Sequence, residues 1–374
     1  MTKHHRGKND GSIFKIPNGT WRAQVSQSGD RISKGFQSKT EALAWIQITK
    51  AKIEQGIHIR GETITLKEYL SSWLEDKSMT LRPKTAHQYM GLVSYHILPS
   101  MGHLKLCHLN IRLVEKYYSQ LIMNGVGVRT IRIINNILHS SLNKAVKYGL
   151  IPHNPTQGAN LPIYYHNEMK IFNLDQVHKF LIAAKSSRYY AFYFLALTTG
   201  MRLGELLGLK WGDIDWNAQM IHIQRQKQYI PGQGYILLEP KTKAGKRTIK
   251  IGEKTVEVLR LHREYQEGIK NIAGEKWIDL DLVFTCSIGT PGDASNIRID
   301  FNRIINKAKL PRIRIHDLRH TAASLFLNYK VPIIVVTNIL GHSKPSVTLD
   351  IYSHVFSDMQ GEAVKVMDTI MCLE

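Results

Sequence analysis

A chain of 374 residues exceeds the usual size of one compact domain, and 43% hydrophobic and 21% charged residues with only 12 prolines exclude a disordered chain, so two or three folded modules are expected. The 50 Lys and Arg outnumber the 30 Asp and Glu to give a formal charge of +20, which points to a polyanion such as nucleic acid, although anionic membrane surfaces attract the same balance. Cys107, Cys286 and Cys372 are too dispersed for a disulfide framework or zinc site, and the longest apolar run, residues 189–197, is too short to span a bilayer, so a cytoplasmic protein without a membrane partner is expected.

Residues 1–60 hold eleven Lys or Arg against four acids, so the cation excess begins at the N-terminus. Trp21, Ala23 and Val25 alternate with polar neighbours, and Asn18-Gly19 and Ser28-Gly29-Asp30 supply turns, which predicts three short strands over residues 12–37. Ser38 and Glu41 then form a capping box, and Ala42, Trp45, Ile46, Thr49 and Ile53 recur at helical spacing up to Gly56. The expected module is a small sheet backed by one helix, with Lys15, Arg22 and Lys34 as candidate phosphate contacts.

A second capping box, Thr65 and Glu68, opens a helix whose apolar stripe is Leu66, Tyr69, Leu70, Trp73 and Leu74. Further helices are predicted near 84–97, 110–123 and 128–148, punctuated by Pro99, Gly102, Gly125 and Gly149, and together they read as a helical bundle. Residues 151–162 have the Pro, Gly and Asn content of a linker, so a domain boundary is expected there. From residue 170 the pattern is mixed: two helices, strands near 219–226, 234–239 and 246–251, then helices to the end.

Cutting DNA without metal or cofactor requires fixed cations around the phosphate, a nucleophile, and groups that move protons. Arg202 lies in TTGMRLGELLGLKW after an apolar helix, where Gly200 makes a turn; its planar fork suits a phosphate, though pairing with Glu205 is the ordinary alternative. Lys241 sits in PKTKAGKRTI, a loop dense in cations that includes Lys243, Lys246 and Arg247. One lysine there can protonate a leaving oxygen, or the loop only touches the DNA backbone. His316 and Arg319, three apart in IRIHDLRHTAASLF, share a helix face, although a capping histidine fits the same place. His342 and Tyr352 lie in LGHSKPSVTLDIYSH, after a helix that Gly341 ends. A tyrosine here is either packed in a core or, with two arginines and a histidine to lower its pKa from about 10, a nucleophile.

Taken in order, Arg202, Lys241, His316, Arg319, His342 and Tyr352 in these phrases resemble the tyrosine recombinase, or phage integrase, family, with no departure at a catalytic position. Residues 63–160 look like that family's helical, SAM-like core-binding domain, and 11–57 like the arm-binding domain of phage and conjugative-element integrases. The resemblance implies a multidomain, mainly α fold with small sheets: an arm-type domain over 1–60, a core-binding domain over 61–160, and an α+β catalytic domain over 165–374. It implies that Tyr352 forms a 3′-phosphotyrosyl link while Arg202, Arg319 and His342 hold nonbridging oxygens. Lys241, or Lys243 in its place, protonates the 5′-hydroxyl, His316 shuttles a proton, and Glu205 supports Arg202. The implied partners are core and arm sites on double-stranded DNA, three further copies in a tetramer, and a DNA-bending accessory protein and excision factor, with no cofactor or metal. A type IB topoisomerase-like enzyme and an inactive DNA-binding regulator of the same fold are the competing readings.

Overall fold

The computed structural model describes residues 11–17, 19–27, 30–54, 64–164, 169–240, 242–346, 348–349, 364 and 367–371. The chain divides into two compact units, residues 1–166 and 167–374. It is mainly helical with small antiparallel sheets.

In the first unit, β1 (Ser12–Lys15), β2 (Trp21–Gln27) and β3 (Asp30–Phe36) form one sheet in that order, backed by α1 (Lys39–Glu54). The alternation read from the sequence places Ala23 and Val25 in a core with Ala42 and Ile46, and Ile13, Trp21, Ile32 and Phe36 pack around them. Ser38 Oγ accepts from Glu41 N at 3.1 Å to start α1. Gly19, with φ +85°, closes the first turn, while Asn18, Ser28, Gly29 and Gly56 lie outside the described residues.

The bundle follows as α2 (Leu66–Ser78), α3 (Pro83–Leu92), α4 (Leu98–Met101), α5 (Ile111–Met123) and α6 (Val128–Lys147). Both halves of the Thr65/Glu68 capping box are present, and of the expected stripe Leu66, Tyr69, Leu70 and Trp73 are buried and Leu74 half-buried. Pro99 was expected to break the chain, yet α3 and α4 are joined by a π-helical turn, Val93–Ile97. The wide turn routes Leu98 N to Val93 O, so the rod absorbs the amide hydrogen bond that Pro99 cannot make. The stretch expected to be a linker is instead partly fastened to α6. Asn154, 5% exposed, donates to His139 O (3.0 Å) and Asn143 Oδ1 (2.8 Å), and Thr156 Oγ1 meets His139 Nδ1 at 2.8 Å.

The second unit is built on α7 (Leu174–Ala184) and α8 (Tyr190–Thr199), an apolar helix with seven buried residues that runs through the core. After the short α9 (Leu203–Leu207) come β4 (Ile214–Asp215), β5 (Met220–Ile223), β6 (Gln226–Ile230), β7 (Gly234–Leu238) and β8 (Arg247–Lys250). The single strand expected over 219–226 is two. β5 joins β4 and β8 in one sheet, whereas β6 pairs with β7 in a separate hairpin. The break falls at Arg225, whose guanidinium is drawn into an ion pair with the buried Asp213. Beyond it, Gly204 and Gly208 let β6 lie against α9, since added Cβ atoms would approach Lys227 O to 2.9 Å and Gln226 Cα to 3.1 Å. Then follow α10 (Glu253–Ala273), α11 (Ala294–Lys307), α12 (Asp317–Asn328) and α13 (Ile333–Leu340). Among the described residues no helix is long and apolar enough to cross a membrane.

Candidate active site

Two left-handed glycines shape the site. Gly200 ends α8 with φ +61° and Gly341 ends α13 with φ +67°, conformations that cost any residue with a Cβ. A Cβ on Gly200 would come within 2.6 Å of Leu340 Cδ2, so a larger residue there would have to displace the Leu340 side chain as well as bear the left-handed backbone. Arg202 follows as the extended residue capping α9, and His316 stands at the start of α12.

Three arginines converge on the end of α13. Arg247 Nε donates to Ile339 O at 2.5 Å, Arg319 Nη2 to Leu340 O at 2.8 Å, and Arg202 Nη2 to Gly341 O at 3.2 Å. Arg319 Nη1 also donates to Gly200 O at 2.7 Å, and the residue is 3% exposed. The carboxylate of Glu205, 2% exposed, accepts from Arg202 N (2.9 Å) and Arg202 Nη1 (2.7 Å) and from both terminal nitrogens of Arg247 (3.2 and 2.9 Å). Burial pushes the Glu205 carboxyl up, but the Arg247 and Arg202 guanidinium groups outweigh it and hold its pKa below the ordinary value. The Arg202 side chain remains 35% exposed, open to a ligand, while its base is braced.

The histidines complete the cluster. His342 Nδ1 lies 2.9 Å from the hydroxyl of the buried Thr348, which also meets Thr337 Oγ1 at 3.0 Å. Burial, with Arg319 and Arg202 beside it, pushes His342 down to about 4. Loss of solvent and the Arg319 charge lower His316, whose ring stands perpendicular to His320 with centroids 5.1 Å apart. His320, itself pushed to about 4 by burial and by His316, was not singled out from the sequence, although its i+4 spacing from His316 puts it on the same helix face. Thr348 carries no sequence signal of its own.

Of the residues expected at the site, Arg202, Glu205, His316, Arg319 and His342 come together in the second unit. Lys241 and Tyr352 lie outside the described residues, as does the Lys243 side chain, whose backbone enters a 3-10 turn, Lys243–Gly245. Lys246 is exposed and paired with Glu239 at 2.7 Å. Arg247 is a correction: expected as a DNA contact, it instead commits Nε, Nη1 and Nη2 to Ile339 O, Gly245 O and both oxygens of Glu205. Lys15, Arg22 and Lys34 are all exposed but do not share one face. Directly paired residues point to the same side of a sheet, so Lys15 opposite Trp21 and Lys34 opposite Ala23 lie at the rim of the side bearing α1, and Arg22, opposite Phe14 and Gly35, lies on the other.

Residues 170–359 match the model of the phage integrase family, and residues 65–122 that of the phage integrase N-terminal SAM-like domain. A tyrosine recombinase XerC-like protein of Caldanaerobacter subterraneus subsp. tengcongensis is 32% identical over 365 residues, covering 92% of this chain and 93% of that protein. The chain belongs to the phage integrase family of tyrosine recombinases. This recombinase is also similar to the ICEBs1 integrase of Bacillus subtilis (strain 168), 23% identical over 96% of this chain and all of that one. In fold it resembles the Tn1549 transposon integrase solved in complex with a circular intermediate DNA, with TM-score 0.69, 19% identity, and coverage of 81% of this chain and 99% of that one. It also resembles a lambda integrase dimer bound to a COC′ core site, with TM-score 0.57, 17% identity, and coverage of 93% and 96%.

Proposed function

We propose that this tyrosine recombinase integrates and excises a mobile DNA element by attacking the scissile phosphate with Tyr352. The observation that carries the reading is the convergence of Arg202, Arg319 and His342 on the turns at Gly200 and Gly341. A phosphodiester there meets two planar forks that stay charged at any physiological pH and are already oriented, so little reorganisation is needed as charge builds in the transition state. Where the Thr348 hydroxyl donates to Nδ1, neutral His342 keeps its proton on Nε2 and hydrogen-bonds a nonbridging oxygen through it. Tyr352 loses its proton to neutral His316 as the phenolic oxygen bonds to phosphorus. The bond to the 5′-oxygen breaks, Lys241, or Lys243, protonates that oxygen, and a 3′-phosphotyrosyl link remains. A 5′-hydroxyl of the partner duplex reverses the steps and restores the tyrosine.

Under this reading residues 1–60 hold arm DNA, 61–160 grip the core site and 165–374 carry the chemistry, in a homotetramer in the bacterial cytoplasm, with a bending protein and an excision factor as further partners. The +20 formal charge and the likeness to integrases solved on DNA support a duplex as the ligand. The test is incubation with DNA bearing candidate attachment sites, followed by a denaturing gel and peptide mapping. An adduct at Tyr352 together with recombinant product is expected. Binding without an adduct would make the chain a regulator, and relaxation of supercoiled DNA by a monomer, without recombinants, a topoisomerase-like enzyme.

A further inference from the structure

Arg247 has no part in the mechanism above, yet it is among the most heavily engaged side chains near the site. The last carbonyls of an α-helix have no partner within the helix and carry partial negative charge. At the end of α13 three consecutive ones, on Ile339, Leu340 and Gly341, each accept from an arginine of a different element: Arg247 of β8, Arg319 of α12 and Arg202 at the head of α9. Two of these belong to the proposed phosphate site. Arg247 instead spans two supports, gripping both oxygens of Glu205 with its terminal nitrogens while Nε holds Ile339 O. Its Nη1 also donates to Gly245 O at 3.2 Å, which fixes the end of the loop that carries Lys241 and Lys243.

We propose that Arg247 is a positioning residue. It locks Glu205 to the last turn of α13, and thereby sets the spacing between the Arg202 guanidinium, the turn that carries His342, and the lysine loop. The inference rests on the reading that Arg202, Arg319 and His342 hold the scissile phosphate.

The surroundings are shaped for this fork. A Cβ on Gly341 would lie 2.9 Å from Arg247 Nη1 and 2.8 Å from Ala244 O, so the glycine that ends α13 also makes room for the guanidinium. A lysine would keep the charge, but its single nitrogen cannot reproduce the fork's grip on both Glu205 oxygens while also holding Ile339 O and Gly245 O. Among the described residues, Arg247 and Arg202 are the charged groups that depress Glu205, so removing one leaves the carboxylate with a single cation.

The test measures single-turnover cleavage, core-site affinity, melting temperature and the pH–rate profile of the full chain as R247M, R247K, E205Q, R247M/E205Q and the reference variant R202K. R247M should bind DNA within about threefold of the unaltered chain and cleave about 10- to 100-fold more slowly, with R247K between them, because small displacements at a reacting centre carry losses of this order. Glu205 stripped of Arg247 protonates at higher pH, so the acid limb of the R247M profile should move upward, and R247M/E205Q should lack that shift while cleaving no worse than its slower parent. Normal cleavage by R247M with an unmoved profile, or fully additive losses in the double variant, would overturn the proposal. Where R247M fails to fold, R247K carries the test, and an unaltered rate there overturns it equally. R202K separates the two ideas: normal cleavage by R202K defeats the phosphate-site reading itself, whereas an inert R202K beside a normal R247M defeats only the role given to Arg247.

Discussion

Arg22 and Arg319 carry the same guanidinium into opposite surroundings. Arg22 stands exposed on the open side of the N-terminal sheet, opposite Phe14 and Gly35. Arg319 is 3% exposed and gripped by the carbonyls of Gly200 and Leu340. A solvated cation adds affinity that salt screens away, whereas a buried one aimed by backbone adds transition-state stabilisation that salt hardly reaches. Charge on the first region should therefore appear in binding and charge on the second in rate.

The sharpest separation of binding from rate comes from Tyr352→Phe, which keeps shape and charge but lacks the attacking oxygen. Cleavage should vanish while core-site affinity stays within about twofold, and a gel-shift alongside a denaturing adduct gel measures both. Arg202→Lys follows, with single-turnover cleavage expected to fall by roughly two orders of magnitude because a point charge cannot replace the fork that Glu205 braces. Truncating the brace itself should reach stability. Glu205→Ala leaves Arg247 buried without its carboxylate and should cost about 3–5 kcal/mol in denaturant unfolding.

These expectations follow contacts that the sequence only partly disclosed. The capping boxes at Ser38 and Thr65 and the stripe Leu66, Tyr69, Leu70 and Trp73 were legible because caps and 3.6-residue periodicity are local. Arg202, His316, Arg319 and His342 were legible through their phrases, not through any visible proximity, since Arg202 and Gly341 are 139 residues apart. What the sequence hid depends on tertiary contact. Arg247 reads in the sequence as one more cation of a basic loop, and only the fold sets Glu205 and Ile339 O around it. Pro99 looked like a helix end until the π turn absorbed it, and 219–226 looked like one strand until Arg225 turned toward Asp213.

Smaller effects sharpen the contrast further. His342 and His320 are pushed to about 4 in the fold, below the 6.5 of an unperturbed histidine. The unfolded chain therefore binds more protons between those values, so the stability these rings contribute is complete above about pH 6.5 and is lost as pH falls toward 4. Melting temperature should drop by several degrees between pH 7 and pH 5, and His342→Gln should flatten that slope; an unchanged slope would place the titration elsewhere. On the sheet, a fragment starting near Gly61 should keep cleavage on a core site but lose assembly on full attachment DNA. Neutralising Lys15, Arg22 or Lys34 should each lower the log–log salt slope of arm binding by about 1. Identical footprints for fragment and full chain would remove the arm-binding role.

The most direct measurement makes the same conservative exchange in both regions: single-turnover cleavage and core-site affinity for Arg319→Lys beside Arg22→Lys. Cleavage by Arg319→Lys should fall by about 100-fold or more with affinity within a few fold, while Arg22→Lys cleaves within about twofold of the unaltered chain. Near-normal cleavage by Arg319→Lys would contradict the claim that its buried fork holds the reacting phosphate.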